Sequence, residues 1–193
     1  MVRKLMLLAG LVVVLYSVSG CCALFNIGCP ITPPIVTAET FIFKQKTKVE
    51  TDVASVAPGK LYDKKGNLTT KGEEIQNAYN NAMVEGTAYV KLVTTNIKAK
   101  TADKVDFASQ AALYGHAVDA LHNLIHPPLA DKTVATALII SDVIIGLTKS
   151  GIEIYEEAKK LDDAKIAGIA KDLEDGGLLS PWNDYMKKLK VLK

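Results

Sequence analysis

From Thr70 onward, apolar residues recur every three to four positions, the spacing that lines one face of an α-helix. Ile75, Ala78, Tyr79, Ala82, Met83, Gly86, Tyr89, Val90, Val93 and Ile97 form the first such stripe, opening on a capping-box pattern of Thr70 with Glu73 and closing on the Lys-rich Lys98-Ala99-Lys100. A second helix is predicted from near Asp103 to the stop at Pro127-Pro128, with Phe107, Ala111, Tyr114, Val118, Leu121 and Ile125 on its apolar line. The third runs from about Asp131 to Leu161. Its first half, "VATALIISDVIIGL", is almost wholly apolar and belongs deep in a bundle, being too short, and broken by Ser141 and Asp142, to cross a bilayer. At 100° per residue Asp142 aligns with Lys149, Glu153 and Lys160, so it heads a solvated stripe; a buried acid with a raised pKa is the rival reading. A fourth helix, from about Asp162 to Glu174, uses Ile166, Ile169, Ala170 and Leu173 and is ended by Gly176-Gly177. A short terminal helix opens with Ser180 as N-cap and Pro181 at the first helical position. Its apolar side, Trp182, Tyr185, Met186 and Leu189, caps the bundle; the alternative is a basic amphipathic end that meets a membrane or a partner.

Ahead of Thr70 the pattern is less decisive. In "FIFKQKTKVETDVASV", Phe41, Phe43 and Val49 alternate with Lys44, Lys46 and Lys48 as in a strand, yet Ile42, Gln45, Val49, Val53 and Val56 recur at helical spacing. Helix is the reading taken, because no clear partner strand follows. The lysines read as a solvated face, with attraction to anionic lipid heads as the alternative. Pro58-Gly59 breaks this segment, and Asp63-Lys64-Lys65-Gly66 suits a type I turn with glycine at the left-handed position, giving a small turn or hairpin over 60–69. It is not a calcium loop, since Lys65 stands where an oxygen ligand is required. Upstream, "CPITPPIVTAET" (Cys29–Thr40) carries Pro30, Pro33 and Pro34 and reads as an extended, semi-rigid spacer. Its dozen residues, at about 3 Å each, reach on the order of 35 Å.

At the start of the chain Arg3 and Lys4 precede an uncharged run, Leu5–Val18. At 1.5 Å per residue that run spans about 21 Å, short of the roughly 30 Å hydrocarbon core, so it reads as a signal peptide rather than a transmembrane helix. The run ends in Val18-Ser19-Gly20-Cys21, which resembles the lipobox of bacterial lipoproteins. That resemblance covers only residues 1–21. It implies cleavage before Cys21, attachment of diacylglycerol to the Cys21 thiol, and acylation of the new amine by a chain such as palmitate. Several acyl chains hold a protein firmly, each buried methylene contributing about 0.8 kcal/mol. Cys22 is not aspartate, so the resemblance also points to the outer membrane. Lipidation of Cys21 leaves Cys22 and Cys29, which outside the cytoplasm either bridge or remain separate thiols; spacing decides neither. Leu24, Phe25 and Ile27 between them dip into the headgroup region or pack on the folded domain.

The chain of 193 residues is 49% hydrophobic and 23% charged, ordinary for a globular domain. Its 23 basic residues, less Arg3 and Lys4 of the leader, leave 21 against 21 acidic ones and no net charge, which argues against a nucleic-acid binder. Arg3 is the only arginine, so the mature part has no guanidinium fork for phosphate or carboxylate. Nucleophile-elbow, P-loop, dinucleotide-binding and haem-attachment motifs are missing, and no catalytic residue is assigned. The constellation with chemical promise is on the second bundle helix. His116, Asp119, His122 and His126 fall within roughly a 120° arc, and imidazole with carboxylate suits a transition metal such as zinc or copper. The plainer reading is a polar flank facing solvent or a neighbouring helix. The expectation is thus an all-α protein: leader 1–20, lipidated Pro-rich tether 21–40, helix and turn 41–69, and a four- to five-helix bundle over 70–193. Its function reads as a non-catalytic envelope lipoprotein that sits on the bilayer through its anchor and scaffolds an envelope partner. The alternative is a lipoprotein that binds a metal or small ligand through the histidine arc; beyond that and the covalent lipid no cofactor is expected.

Overall fold

The computed structural model describes residues 33–100, 106–127 and 133–189, with the backbone alone for 133–141. The leader, Cys21, Cys22 and Cys29 lie outside the described residues. Seven helices are present among those described: α1 (Pro33–Ala54), α2 (Pro58–Leu61), α3 (Thr70–Ala99), α4 (Phe107–Ile125), α5 (Thr133–Ala158), α6 (Asp163–Gly177) and α7 (Trp182–Lys188). The protein is all-α. α1, α3, α4, α5 and α6 make the bundle: α3 packs against α4, α5 and α6, α1 against the same three, and α4 against α5. The short α2 and α7 both lie on α3. No helix among the described residues is long and apolar enough to cross a membrane.

The apolar stripes become the core. Ile75, Tyr79, Ala82, Tyr89, Val90, Val93 and Ile97 of α3 are all buried, as are Phe107, Ala111, Tyr114, Val118 and Leu121 of α4 and Ile166, Ile169, Ala170 and Leu173 of α6. Burying an aliphatic or aromatic side chain contributes about 1.5–3 kcal/mol, so these faces drive assembly of helices whose isolated propensity is modest. Asp142 is exposed and Lys149 pairs with Glu153 at 3.6 Å, so the polar stripe of α5 faces solvent as expected. Tyr79 hydrogen-bonds the Ser180 carbonyl at 2.8 Å and stacks on Tyr185 at 5.6 Å, with Trp182 edge-on at 5.3 Å, which seats α7 on the end of α3.

Several expected boundaries move, each for a local reason. The spacer reading for residues up to Thr40 fails from Pro33 onward, because Pro33 and Pro34 occupy the first turn of α1, where no backbone N–H is needed, and Ile35, Ala38 and Ile42 then enter the core. The bundle therefore starts at Pro33 rather than at Thr70. The N-cap of α3 is Thr69, one residue earlier than expected, accepting from the Gly72 N–H at 2.9 Å while its hydroxyl donates to the Lys60 carbonyl. α4 starts at its Asp106 cap rather than near Asp103, the carboxylate accepting from Ala108 and Ser109. Ser180 does not cap α7: its carbonyl is taken by Tyr79 and its hydroxyl by Lys188, and Pro181 stands at the cap without a side-chain bond. Gly176 and Gly177 close α6 by allowing approach rather than by a left-handed turn. A Cβ on Gly176 would lie 2.6 Å from the Phe43 ring and one on Gly177 3.1 Å from Val90. Gly66, at φ 84°, is the described glycine that does turn the chain left-handedly; it closes the expected 60–69 turn, with an antiparallel bridge between Tyr62 and Leu68.

Candidate functional site: an Asp–His–His cluster between α1 and α4

α1 and α4 run side by side in the same direction, and polar side chains link them like rungs. Lys48 Nζ donates to Asp119 Oδ1 at 3.1 Å. One turn further along both helices, His122 Nδ1 donates to Asp52 Oδ2 at 2.9 Å, and His126 Nε2 lies 3.5 Å from Asp52 Oδ1. Beyond that, Ser55 Oγ sits 3.4 Å from His126 Nε2 and donates to the Asp52 carbonyl at 2.6 Å. The two imidazoles are 5.1 Å apart between ring centres, as an i, i+4 pair on one helix face must be.

Asp52 is the centre of this arrangement. Its carboxylate is 10% exposed, while His122 and His126 are 39% and 46% exposed, so a buried acid faces two histidines that solvent reaches. An acid placed there without partners would cost several kcal/mol of desolvation. The histidine N–H groups and the partial openness of the site remove that cost.

Asp52, His122 and His126 each offer a ligand atom, and these atoms all lie within 4.8 Å of one another. A metal holding nitrogen and oxygen ligands tetrahedrally at about 2.0–2.1 Å sets them roughly 3.3 Å apart. His122 reaches one Asp52 oxygen at 2.9 Å and His126 the other at 3.5 Å, so both imidazoles approach the same carboxylate at distances of that order. One carboxylate and two imidazoles on two helices form a donor set suited to zinc and neighbouring divalent ions, and three ligands leave a coordination position open. His126 and Ser55 also line a cleft of about 300 Å³ whose walls include Lys60, Lys71 and Ile125.

The structure splits the four-residue arc read from α4. His122 and His126 meet at the cluster. Asp119 does not join them: it is buried and drawn to Lys48, and its Oδ2 has no hydrogen-bond partner. His116 is exposed, two turns back on α4, and stands outside the cluster. Lys48 of α1 takes Asp119 and His116 is turned to solvent, so Asp52 meets only His122 and His126. The third member of the cluster is Asp52, 70 residues before His122, and no spacing within α4 announces it. The available signal was a carboxylate three residues after Val49, on the edge of the apolar stripe that α1 buries.

Four buried tyrosines elsewhere in the bundle serve its packing. Burial pushes the phenols of Tyr79, Tyr89 and Tyr114 well up and that of Tyr185 to about 12, so they stay neutral. Tyr89 donates to the Leu147 carbonyl at 2.6 Å and Tyr185 to that of Glu50. Compared with known proteins, the chain matches no family model, no curated protein and no solved structure.

Proposed function

We propose that this protein is a membrane-anchored lipoprotein that binds a divalent transition-metal ion of the zinc class through Asp52, His122 and His126. The observation that carries the reading is the convergence of one buried carboxylate and two solvent-reachable imidazoles from separate helices within 4.8 Å. The anchor rests on the lipobox resemblance at Cys21, which implies a position outside the cytoplasm, where a tethered binder retains what it captures. An apolar groove of about 470 Å³ between α3 and the residues before α7, walled by Met83, Val84, Leu178 and Leu179, supports the partner-scaffolding alternative. It names no chemistry for the partner, so metal binding is the conclusion.

The test is calorimetric titration of zinc into the protein purified in detergent, beside a His122→Ala, His126→Ala double variant that keeps every cysteine. The wild type should bind one more zinc ion than the variant, and Asp52→Asn should weaken that site at least tenfold, the size of loss expected when a ligand or its orienting partner is removed. Equal titrations for wild type and double variant would end the metal reading. The anchor is tested separately: Cys21→Ser should move the protein from the membrane fraction of its host to the soluble one, and retention in the membrane would refute lipid attachment at Cys21.

A further inference from the structure

We infer that the open position of this metal site takes a small organic oxyanion, a carboxylate or a phosphate monoester, seated in the adjoining cleft; this rests on the metal reading above. Charge is the first reason. A dication held by one carboxylate and two neutral imidazoles keeps one positive charge, and the next ligand that suits it is an anion.

The cleft supplies the second. His126 belongs both to the cluster and to the cleft wall, and Ser55, beside it on that wall, brings its hydroxyl to 3.4 Å from the same His126 Nε2 that faces Asp52. A molecule in the cleft therefore meets the cluster at His126, the one member of it on that wall. Lys60 and Lys71 line the same cleft and, among the described residues, no acidic one does, although Lys71 also reaches Glu74 at 3.2 Å on the outer surface. Lysine ammonium groups act as compact point charges that accept either carboxylate or phosphate, whereas a bidentate arginine would select by shape.

Size and polarity narrow the class. About 300 Å³ is at the lower end of small-molecule pockets, enough for a metabolite of a few carbons and too little for a polymer chain. Val56 and Ile125 on the wall give the carbon portion an apolar surface, so the ligand carries a charged end for the metal and lysines and a short hydrocarbon part for the rest.

The protein purified in detergent and loaded with cobalt(II) reports on this directly, because its visible d–d bands change when a ligand enters the metal shell. Succinate and glycerol 3-phosphate are titrated separately, with glycerol as the uncharged control. At least one anion should shift the bands saturably at millimolar concentration or below, glycerol should not, and the response to each anion identifies which oxyanion the cleft prefers. A Lys60→Met, Lys71→Met double variant should show the same cobalt bands without anion and bind the anion about tenfold more weakly, as expected when charge-assisted contacts are lost. If wild-type protein shows no cobalt bands that depend on His122 and His126, the metal site and this inference fall together. If cobalt binds but neither anion changes its spectrum, or the lysine variant responds as the wild type does, the metal site stands and the anion inference is overturned.

Discussion

Glu39 is a residue whose environment works against its own charge. It is 7% exposed on α1, its Oε1 has no hydrogen-bond partner, and burial, reinforced by the nearby negative charge of Asp172 on α6, raises its pKa from 4.5 to about 7. The native state therefore holds a proton that the unfolded chain releases between about pH 4.5 and 7. Stability falls as pH rises through that window, and the penalty is complete above the folded pKa. It amounts to about 2 kcal/mol, less than full conversion of the shift because solvent screens part of the charge. Glu39→Gln should melt close to wild type near pH 4.5 and clearly above it at pH 8, when the difference in Tm is followed across pH. A difference that stays constant would show that ionisation of Glu39 is not the cause. Asp119, also buried on the same bundle, has Lys48 Nζ at 3.1 Å from one of its oxygens. At this scale the sequence was legible where a side chain answers to its own helix, as Asp142 does in pointing to solvent, and illegible where it answers to another, as Asp52 and Asp119 do.

The elements owe their lengths to caps and to close approach, and glycine separates the two effects. Gly168, exposed on α6, has nothing within 4 Å of a hypothetical Cβ, so Gly168→Ala should gain helix propensity alone and stabilise by about 0.5–1 kcal/mol. Gly72 sits in the first turn of α3, where a Cβ would lie 2.1 Å from the Leu61 carbonyl oxygen. That oxygen also accepts from the Thr69 N–H at 3.0 Å, so backbone rather than a mobile side chain blocks the methyl. Gly72→Ala should accordingly destabilise by about 1–3 kcal/mol despite its better propensity. Chemical denaturation followed by circular dichroism reads both, and a stabilising Gly72→Ala would mean that α2 does not press on α3 as described. The stripes of α3, α4 and α6 were readable because burial on one face imprints a 3.6-residue period. Their ends were readable only approximately, since Thr69 outcompetes Thr70 as a cap by also bonding Lys60, nine residues away, and Ser180 is diverted by Tyr79.

Across the whole molecule, the cluster ties α1 to α4, helices that are joined in sequence only through α2 and α3. A metal bound there is a cross-link present in the native state and absent from the unfolded chain. At 100 times its dissociation constant it stabilises the fold by about 2.7 kcal/mol, which for a domain of this size is a rise in Tm of roughly 5–10 °C. Saturating zinc should produce that rise in the wild type and none in the His122→Ala, His126→Ala variant. Trp182 is the single tryptophan and is buried against Tyr79, so its fluorescence reports α7 leaving the bundle in the same melts. No zinc-dependent shift in the wild type would show that the three side chains only contact one another and hold no metal.

By itself the sequence determined which stretches from Thr70 onward are helical and which face they bury, because those properties follow from spacing within a few residues and from the need to remove apolar side chains from water; it did not show that Pro33 to Thr40 join the first helix. It also carried the charge balance and the Cys21 motif, which no folding is needed to read. Only the tertiary structure decided which polar residues meet. Asp52, His122 and His126 come together because α1 docks alongside α4, a choice made by the summed packing of entire helices, so the identity of the third member was held in no local pattern.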